Sequence, residues 1–235
     1  MGVVDAVQGD GFSAAEIAAV QEQYPKLRCT EPYVVEGLLD LHASYEDNVL
    51  QDQFLICIAG SAEYPTLLPT LREIGDRTKE IAAKYRITDF RTLHRNGDGT
   101  ACLCVKQMER RQVPFGSDLT VFVENLVIPY LYGLSYYDTN GRWPWAEYSH
   151  GALGLLEYYA DSEVDDTRAG IEEVARLIRR ENNWKDCYKQ IRKPNADRLC
   201  LCGSKQRFKP CHPRVWQGTV RLHAEVERLG LRIFQ

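Results

Sequence analysis

One cysteine stands in a setting that can do covalent chemistry. Residues 93–105 read Leu-His-Arg-Asn-Gly-Asp-Gly-Thr-Ala-Cys-Leu-Cys-Val and place Cys102 after a glycine-rich loop that carries His94 and Asn96. Such a loop can present backbone N–H groups and a side-chain amide close to a thiol, which makes Cys102 a candidate nucleophile. Free cysteines also pack inside proteins as small hydrophobes, so a buried strand is the alternative interpretation. Cys104 can likewise be a second reactive thiol or a packed side chain.

A second group of cysteines near the C-terminus has the composition of a metal site. Three thiols and one imidazole occur within thirteen residues, at Cys200, Cys202, Cys211 and His212. This donor set is typical of a closed tetrahedral zinc site, in which Zn2+ is structural because protein atoms fill every position. A disulfide with a spare thiol is the alternative, and a reducing compartment disfavours it.

Composition indicates a folded protein of moderate size. The chain has 235 residues, of which 44% are hydrophobic, and a formal net charge of -4 with a pI near 5.8. This length fits one large domain, or a medium domain with a small appendage. The acidic balance argues against a general nucleic-acid surface. We find no apolar run long enough to cross a membrane and no export signal at the N-terminus.

The eight cysteines are unevenly spaced along the chain. Cys29, Cys57 and Cys187 stand alone, whereas the others fall into the two groups described above. Without an export signal, this spacing indicates thiols used for metal binding and chemistry in a reducing compartment. We therefore expect a cytoplasmic protein.

The elements that position the first cysteine group are predicted from capping and periodicity. Residues 13–23 form a predicted helix, with Ser13 and Glu16 as a capping box. Residues 34–42 and 52–59 are predicted strands joined by a polar turn, and the second is apolar on both faces, which is typical of an interior strand.

The next segments are predicted from prolines and caps. Residues 64–71 hold two prolines four apart, which predicts an extended connection into a short strand. Residues 78–85 have helical composition. Ser117 is predicted to cap a long helix that runs through Tyr130 and is kinked at Pro129.

The C-terminal part reads as mainly helical. Helices are predicted over residues 151–159, over residues 171–178 with an apolar stripe, and over residues 215–229. Residues 185–198 are polar and contain a proline, and we interpret them as a linker.

Residues 200–212 resemble the SEC-C motif, best known at the C-terminus of the bacterial translocation ATPase. That motif runs Cys-x-Cys-Gly-Ser, then basic residues with an aromatic, then Cys-His or Cys-Cys. Here the sequence is Cys-Leu-Cys-Gly-Ser-Lys-Gln-Arg-Phe-Lys-Pro-Cys-His, with Lys205 where the family usually has glycine. The motif serves protein docking in its relatives, and Lys205, Arg207 and Lys209 either contact an acidic partner surface or remain solvated.

The upstream motifs resemble those of ubiquitin-conjugating enzymes. Those enzymes run from a sheet through Tyr-Pro-x-x-x-Pro, then His-Pro-Asn, then Gly-x-Ile-Cys-Leu with the catalytic cysteine. Pro65 and Pro69 fit the proline pair. His94 and Asn96 fit the outer positions of His-Pro-Asn, and residues 99–103 fit the cysteine motif. The resemblance implies an α+β fold, in which helices flank a ubiquitin-conjugating-enzyme-like antiparallel sheet.

The resemblance also implies roles for the residues of the loop. Cys102 takes up an acyl group as a thioester, Asn96 stabilises the oxyanion, and His94 holds the loop through hydrogen bonds. The chain departs from the family in three ways, which make it a divergent member closer to bacterial relatives. Arg95 replaces the proline, the loop before the cysteine is two residues shorter, and a helical stretch at residues 78–85 is added.

The order of the modules resembles a bacterial set of conjugating-enzyme-like proteins. These proteins are encoded beside cGAS-like nucleotidyltransferases in antiphage (CBASS) operons and end in a zinc knuckle. The resemblance implies that Cys102 accepts the C-terminus of such a nucleotidyltransferase and passes it to a nucleophile, with no direct role for nucleic acid or membrane. The predicted ranges are 1–165 for the conjugating-enzyme-like domain, 166–197 for a helix and linker, and 198–235 for the zinc module with a terminal helix.

Two other functions remain open at this point. A non-catalytic adaptor of the same fold would bind a partner protein through its sheet and zinc knuckle. A cysteine hydrolase would use Cys102 with His150, but no third catalytic group is evident in the sequence.

Overall fold

The computed structural model describes residues 11–145, 148–161 and 166–233. These residues form helices and one four-stranded antiparallel sheet, so the predicted α+β class is confirmed. Contacts divide the chain into two compact units. The first comprises Met1–Cys104 and Met108–Ala146, and the second comprises Val105–Gln107 and Glu147–Gln235.

The sheet of the first unit is a meander in which each strand pairs with the next along the chain. The strands are β1 (Leu27–Glu31), β2 (Val34–Tyr45), β3 (Asn48–Ala59) and β4 (Thr70–Glu73). Their order in the sheet is β1-β2-β3-β4, so β1 and β4 are the edges. The two predicted strands are confirmed as β2 and β3. Both are longer than expected, because the pair Tyr45↔Asn48 extends their ladder to a two-residue turn.

Strand β3 is an interior strand, as predicted, and its two faces differ. Phe54, Ile56 and Ile58 are fully buried and belong to the core of the first unit. Leu55 lies between two of them on the other face and is 41% exposed. The apolar composition of both faces therefore does not mean that both faces are covered by this unit.

The first helix, α1 (Ala14–Gln23), begins with the predicted capping box. The Glu16 N–H donates to Ser13 Oγ at 3.2 Å, and the Ser13 N–H donates to Glu16 Oε2 at 2.9 Å. These two bonds satisfy donors that the first turn of a helix otherwise leaves without partners.

The connection before β4 is not extended as predicted. Residues 62–66 form turns, in which the Tyr64 N–H donates to Ser61 O and the Leu67 N–H donates to Glu63 O. Prolines forbid a regular helix but also suit turns, and here the turn geometry prevails. The short strand that we expected after it is β4.

Two helices follow the sheet in the first part of the chain. The predicted helical stretch is confirmed as α2 (Arg77–Lys84), and a 3-10 turn at Phe90–Leu93 comes next. Helix α3 (Lys106–Gln112) begins shortly after Cys104.

The long helix predicted after Ser117 is present in three parts. It consists of α4 (Leu119–Phe122), a π-helical segment at Val123–Val127 and α5 (Ile128–Asn140). Asp118, not Ser117, is the N-cap, and its Oδ1 accepts the Val121 N–H at 3.1 Å. Pro129 is the second residue of α5, directly after the π segment, and its missing N–H and its ring interrupt the hydrogen-bond ladder of the long helix there.

The described part of the second unit consists of helices and the cysteine-rich segment. Val215, Leu222 and Val226 are buried in the last helix as the periodicity predicted. The helices are α6 (Ala152–Asp161), α7 (Arg168–Arg179), α8 (Trp184–Arg192), α9 (Phe208–Cys211) and α10 (Pro213–Arg228). Helix α6 packs within this unit, mainly against α10, whereas the domain ranges predicted from the sequence group it with the first domain.

The prediction of a linker over residues 185–198 is wrong for most of its length, because α8 occupies residues 184–192. Cys187 and Ile191 lie four residues apart on one face and are fully buried, and Tyr188 lies between them. The many charged residues concealed this narrow apolar stripe.

No helix among the residues that the structure describes is long and apolar enough to cross a membrane. Residues 1–10, on which the expectation of no export signal rests, lie outside the described ranges.

We predict that Arg77 is a main electrostatic anchor of the first unit. Its Nη2 lies 2.7 Å from Asp52 in β3 and 2.9 Å from Asp138 in α5, and all three side chains are at most 27% exposed. Arg77→Met leaves two partly buried carboxylates without this partner and should lower the free energy of unfolding by about 2–4 kcal/mol. Lys26→Met, which breaks the exposed pair with Asp40, should lower the free energy of unfolding far less than Arg77→Met does. Urea denaturation compares the two variants, and equal losses would contradict the prediction.

The ion pair between Arg77 and Asp138 makes the free energy of unfolding depend on pH. Burial raises the pKa of Asp138, but hydrogen bonds from Lys84 and Arg77 outweigh it and hold the pKa below its ordinary value. A carboxyl with a lowered pKa in the folded state contributes stability at neutral pH and loses it as the pH falls through that pKa. The wild-type protein should therefore lose more stability than Arg77→Met between pH 5 and about pH 3.

Candidate functional site

The loop that leads to Cys102 begins at the end of the 3-10 turn. His94 follows that turn with a φ of 49°, in the left-handed region. Arg95 and Ala101 then form an isolated antiparallel bridge, which closes residues 96–100 into a tight loop. Gly99 has a φ of 86°, a conformation that favours glycine.

Hydrogen bonds within the loop fix its shape without the proline of His-Pro-Asn. The Asn96 N–H donates to Thr100 O at 2.8 Å, and the Gly99 N–H donates to Asn96 O at 2.9 Å. Asp98 Oδ1 accepts the Thr100 N–H at 3.0 Å and the Thr100 hydroxyl at 2.7 Å. These bonds from Thr100 hold the pKa of Asp98 below its usual range.

Two backbone hydrogen bonds place Cys102 beside the edge strand β4. The Ala101 N–H donates to the carbonyl of Leu71 in β4 at 2.8 Å, and the Cys102 N–H donates to the carbonyl of His94 at 2.7 Å. Cys102 is half-buried, and Cys104 is half-buried and packs against the core of the first unit. The candidate nucleophile is therefore held by the sheet at one side and by the His94 loop at the other.

The side chain of Asn96 takes part in the loop that carries it. Its Nδ2 donates to Thr100 Oγ1 at 3.0 Å, and Thr100 is 7% exposed. A carboxamide has two N–H donors, and this bond occupies one of them. The oxyanion role of Asn96 stays a prediction that depends on the second N–H.

His94 is held at both its backbone and its ring. Its carbonyl accepts the Cys102 N–H, and its ring packs edge-on against Trp143 with centroids 4.6 Å apart. These contacts support the predicted role of His94 in holding the loop.

His150 belongs to the second unit and is exposed in the turn before α6. This turn is fixed to its own helix, because the Ser149 N–H donates to Glu157 and a Cβ at Gly154 would lie 1.7 Å from Ser149 O. His150 therefore lies in a turn whose backbone is held by contacts with α6.

The four predicted metal ligands lie together in the second unit, with their donor atoms within 4.8 Å of one another. The sulfurs of Cys202 and Cys211 are 3.6 Å apart. Nδ1 of His212 lies 3.2 Å from the sulfur of Cys200 and 3.2 Å from that of Cys211. The group can therefore hold a metal ion, and the imidazole faces the sulfurs through Nδ1.

The backbone around these ligands folds into a knuckle. The Cys200 N–H donates to Gln206 O at 2.7 Å, and Gly203 has a φ of 83°. Lys205, at the position where the SEC-C family usually has glycine, has a φ of 62°. This departure therefore leaves the left-handed backbone unchanged and adds a strained side chain there. Phe208 is fully buried beneath the knuckle and starts α9.

The thiols of the knuckle differ in acidity. Burial raises the pKa of Cys200 to about 12. Burial also raises the pKa of Cys202, but hydrogen bonds from the side chain and backbone of Ser204 outweigh it and lower the pKa to about 7. Metals bind thiolates, so a bound cation would have to displace the proton of Cys200.

Comparisons of the chain with protein-family models, with curated proteins and with solved structures find no match.

Several residues of the two sites have no clear signal in the sequence. Ser204 Oγ lies 3.1 Å from Cys211 Sγ, although its sequence position suggested only a tight turn. Tyr130 and Trp143 donate hydrogen bonds to backbone carbonyls beside His94 from positions distant in the sequence. Trp143 stands out in the sequence only because it begins an aromatic-rich stretch, Trp-Pro-Trp at residues 143–145.

We predict that the Cys/His group binds metal and stabilises the second unit. Cys202→Ala should reduce the bound metal, after dialysis against a chelator, to less than about one tenth of the wild-type content. Cys29→Ala, which changes an exposed cysteine in the first unit, is the matched control. Elemental analysis and thermal unfolding give the two readouts. Equal metal content and equal melting temperatures in the two variants would contradict the assignment.

Proposed function

We propose that this chain is a ubiquitin-conjugating-enzyme-like acyl carrier that holds a protein C-terminus as a thioester on Cys102. The placement of Cys102 is the strongest support. Its thiol is half-buried, its segment is bonded to β4, and its backbone N–H donates to the His94 carbonyl. Helix α1, a four-stranded antiparallel sheet and the cysteine loop follow one another along the first unit. This order agrees with the resemblance carried by the Tyr-Pro, His-x-Asn and Gly-x-x-Cys motifs.

The proposed reaction has two balanced steps. In the first, the thiolate of Cys102 attacks the carbonyl carbon of a donor thioester, an S–C bond forms, and the donor sulfur leaves as a thiolate. In the second, an amine attacks the new thioester, an amide bond forms, and Cys102 leaves as a thiolate while the amine proton passes to solvent. Exchange between thioesters is nearly isoenergetic, so the bound acyl group stays reactive toward the amine.

Asn96 has the proposed role of stabilising the oxyanion in the second step. A donor of this kind contributes when it is fixed before the charge develops. The bonds of Asn96 to Thr100 through both its backbone and its side chain provide that fixation. Arg95 occupies the place of the family's proline, and its guanidinium lies 5.9 Å from the ring centroid of Phe90.

The proposed metal is structural Zn2+. Zn–S bonds of about 2.3 Å in a tetrahedron place two sulfurs about 3.8 Å apart, which is close to the 3.6 Å between Cys202 and Cys211. Three thiolates and one imidazole leave no open position for a substrate. Elemental analysis should therefore return about one equivalent of zinc per chain. The SEC-C-like segment would then serve as a docking module.

The proposed donor is the C-terminus of a cGAS-like nucleotidyltransferase, held as a thioester on a separate activating partner that consumes ATP, in cytoplasmic antiphage defence of the CBASS type. The order of the modules supports this setting: a thiol-bearing unit comes first, an aromatic-rich stretch follows, and a Cys/His knuckle lies near the C-terminus.

A second candidate function is a non-catalytic adaptor of the same fold. The observation that favours it is the outer face of the sheet, where the apolar side chain of Leu55 is 41% exposed. Ile74, whose N–H donates to Leu55 O, extends this apolar surface and is 46% exposed. An adaptor would bind a partner there and would tolerate loss of Cys102.

The carrier function predicts a covalent adduct on one thiol. Wild-type protein incubated with ATP, a purified cGAS-like nucleotidyltransferase and the activating partner should form an adduct that a thiol reductant such as dithiothreitol cleaves by exchange and that a phosphine reductant leaves intact. Cys102→Ser should form an oxygen ester that resists the reductant, because an ester does not exchange with thiols under the same conditions. Cys104→Ser is the matched control and should behave as the wild type.

Absence of an adduct with the wild type, together with absence of an ester with Cys102→Ser, would exclude the carrier function. Binding of the nucleotidyltransferase by Cys102→Ala at wild-type affinity, without any adduct in the wild type, would support the adaptor.

The oxyanion role predicts a defect confined to the second step. Asn96→Ala should reduce the rate of transfer to an amine by about 100-fold or more and leave formation of the thioester nearly unchanged. Thr100→Val removes the hydroxyl that accepts from Asn96 Nδ2 and serves as the control for the shape of the loop. Single-turnover transfer from preformed thioester is the measurement. An equal defect in both variants would assign Asn96 to the loop alone.

A further inference from the structure

We propose that Tyr130 and Trp143 are positioning residues for Cys102, which hold the loop that fixes its backbone. The consequence for acyl transfer rests on the proposed function, whereas the positioning itself does not. Neither residue belongs to the Tyr-Pro, His-x-Asn or Gly-x-x-Cys motifs, on which the assignment of Cys102 rests.

Three consecutive carbonyls before the cysteine loop each accept one hydrogen bond. Thr92 O accepts from Trp143 Nε1 at 3.0 Å, and Leu93 O accepts from the Tyr130 hydroxyl at 3.2 Å. His94 O accepts from the Cys102 N–H at 2.7 Å. The two aromatic side chains therefore fix the peptide groups immediately before the one that binds Cys102.

The ring of Trp143 also contacts the loop directly. It packs edge-on against His94 with centroids 4.6 Å apart, and its centroid lies 6.3 Å from that of Tyr130. Trp143 is 9% exposed and Tyr130 is 5% exposed. His94 has a left-handed backbone, which is less favourable for a residue with a side chain, so neighbouring contacts must hold it in place.

Helix α5 is shaped to receive these two side chains. A Cβ added at Gly133 would lie 2.0 Å from Trp143 Cζ3, so a side chain at this position would displace the indole. The π segment Val123–Val127 directly precedes α5 and rotates it relative to a continuous α-helix. Gly133 leaves room for the Trp143 ring, and the π segment sets the orientation of α5. Together they direct Tyr130 and Trp143 toward the backbone carbonyls of residues 92–94.

The chemistry of both donors suits a permanent role. The indole N–H donates and does not accept. Burial raises the pKa of Tyr130, so its hydroxyl keeps the proton that it donates to Leu93 O. Loss of either donor should loosen residues 92–94 and, through His94 O, the backbone of Cys102.

A comparison of two tyrosines on the same helix tests the proposal. Tyr130→Phe removes the bond to Leu93 O, and Tyr132→Phe removes a bond of the same length, 3.2 Å, from a less buried hydroxyl to Asn48 O at the start of β3. Both variants delete one hydroxyl from α5, and Tyr132→Phe should lose no more stability than Tyr130→Phe. Only Tyr130→Phe should raise the hydrogen-exchange rate of the Cys102 amide, by about five-fold, the factor that one net hydrogen bond contributes.

The thiol provides a second readout with no acyl donor. Alkylation by iodoacetamide, followed by mass spectrometry of the Cys102 peptide across a pH series, should reach a plateau rate about five-fold higher in Tyr130→Phe, because a looser loop exposes a half-buried thiol. Gly133→Ala should also increase the rate, since it displaces the Trp143 ring and with it the bond to Thr92 O, while both donor groups stay chemically intact. Trp143→Phe keeps an aromatic ring but removes the N–H, and it should act in the same direction.

Equal exchange and alkylation rates in Tyr130→Phe and Tyr132→Phe would overturn the positioning role. These measurements use the protein alone, so their failure is distinct from a failure to form a thioester. If positioning and proposed function both hold, Tyr130→Phe should slow acyl transfer while it speeds alkylation. Tyr132→Phe, which removes a hydrogen bond to β3 instead of one to the loop, should leave both rates at the wild-type values.

Discussion

The hydrogen bond from the Cys102 N–H to the His94 carbonyl is the constraint on which the first unit's candidate site depends. It joins the residue that would do chemistry to a loop with a left-handed backbone at His94. The neighbouring bond from Ala101 to Leu71 attaches the same segment to β4. The sheet and the loop thus determine the backbone of Cys102 from two sides, and the helices that cover the sheet determine the loop.

The two candidate sites illustrate different ways to hold reactive side chains. In the first unit, backbone hydrogen bonds and buried aromatic donors fix the backbone around Cys102. The Cys102 side chain is half-buried. In the second unit, donor atoms within 4.8 Å of one another converge on one point, which suits a cation shared among them. A cation bound there would add stability to a short segment that forms little apolar core of its own.

Local signals in the sequence were sufficient for a large part of the fold. The capping box of Ser13 and Glu16, strands β2 and β3, and the Cys/His ligand group follow from short-range rules of capping, periodicity and donor spacing. Features set by distant contacts did not follow. Asp118, and not its neighbour Ser117, is the N-cap because the turn before it places the start of α4 at Leu119. Helix α8 has only a narrow buried stripe within a charged segment. The aromatic donors act on carbonyls far away in the sequence, which no periodicity can indicate.

The central claim is that Cys102 carries an acyl group, and peptide mapping by mass spectrometry tests it most directly. The protein would be incubated with the nucleotidyltransferase and its activating partner, quenched in acid without reductant, digested, and mapped for the acyl remnant. We expect the remnant on the peptide that contains Cys102 and Cys104. Fragmentation should assign it to Cys102, and mild thiol treatment should remove it. A remnant on any other cysteine, or on Cys104 alone, would contradict it.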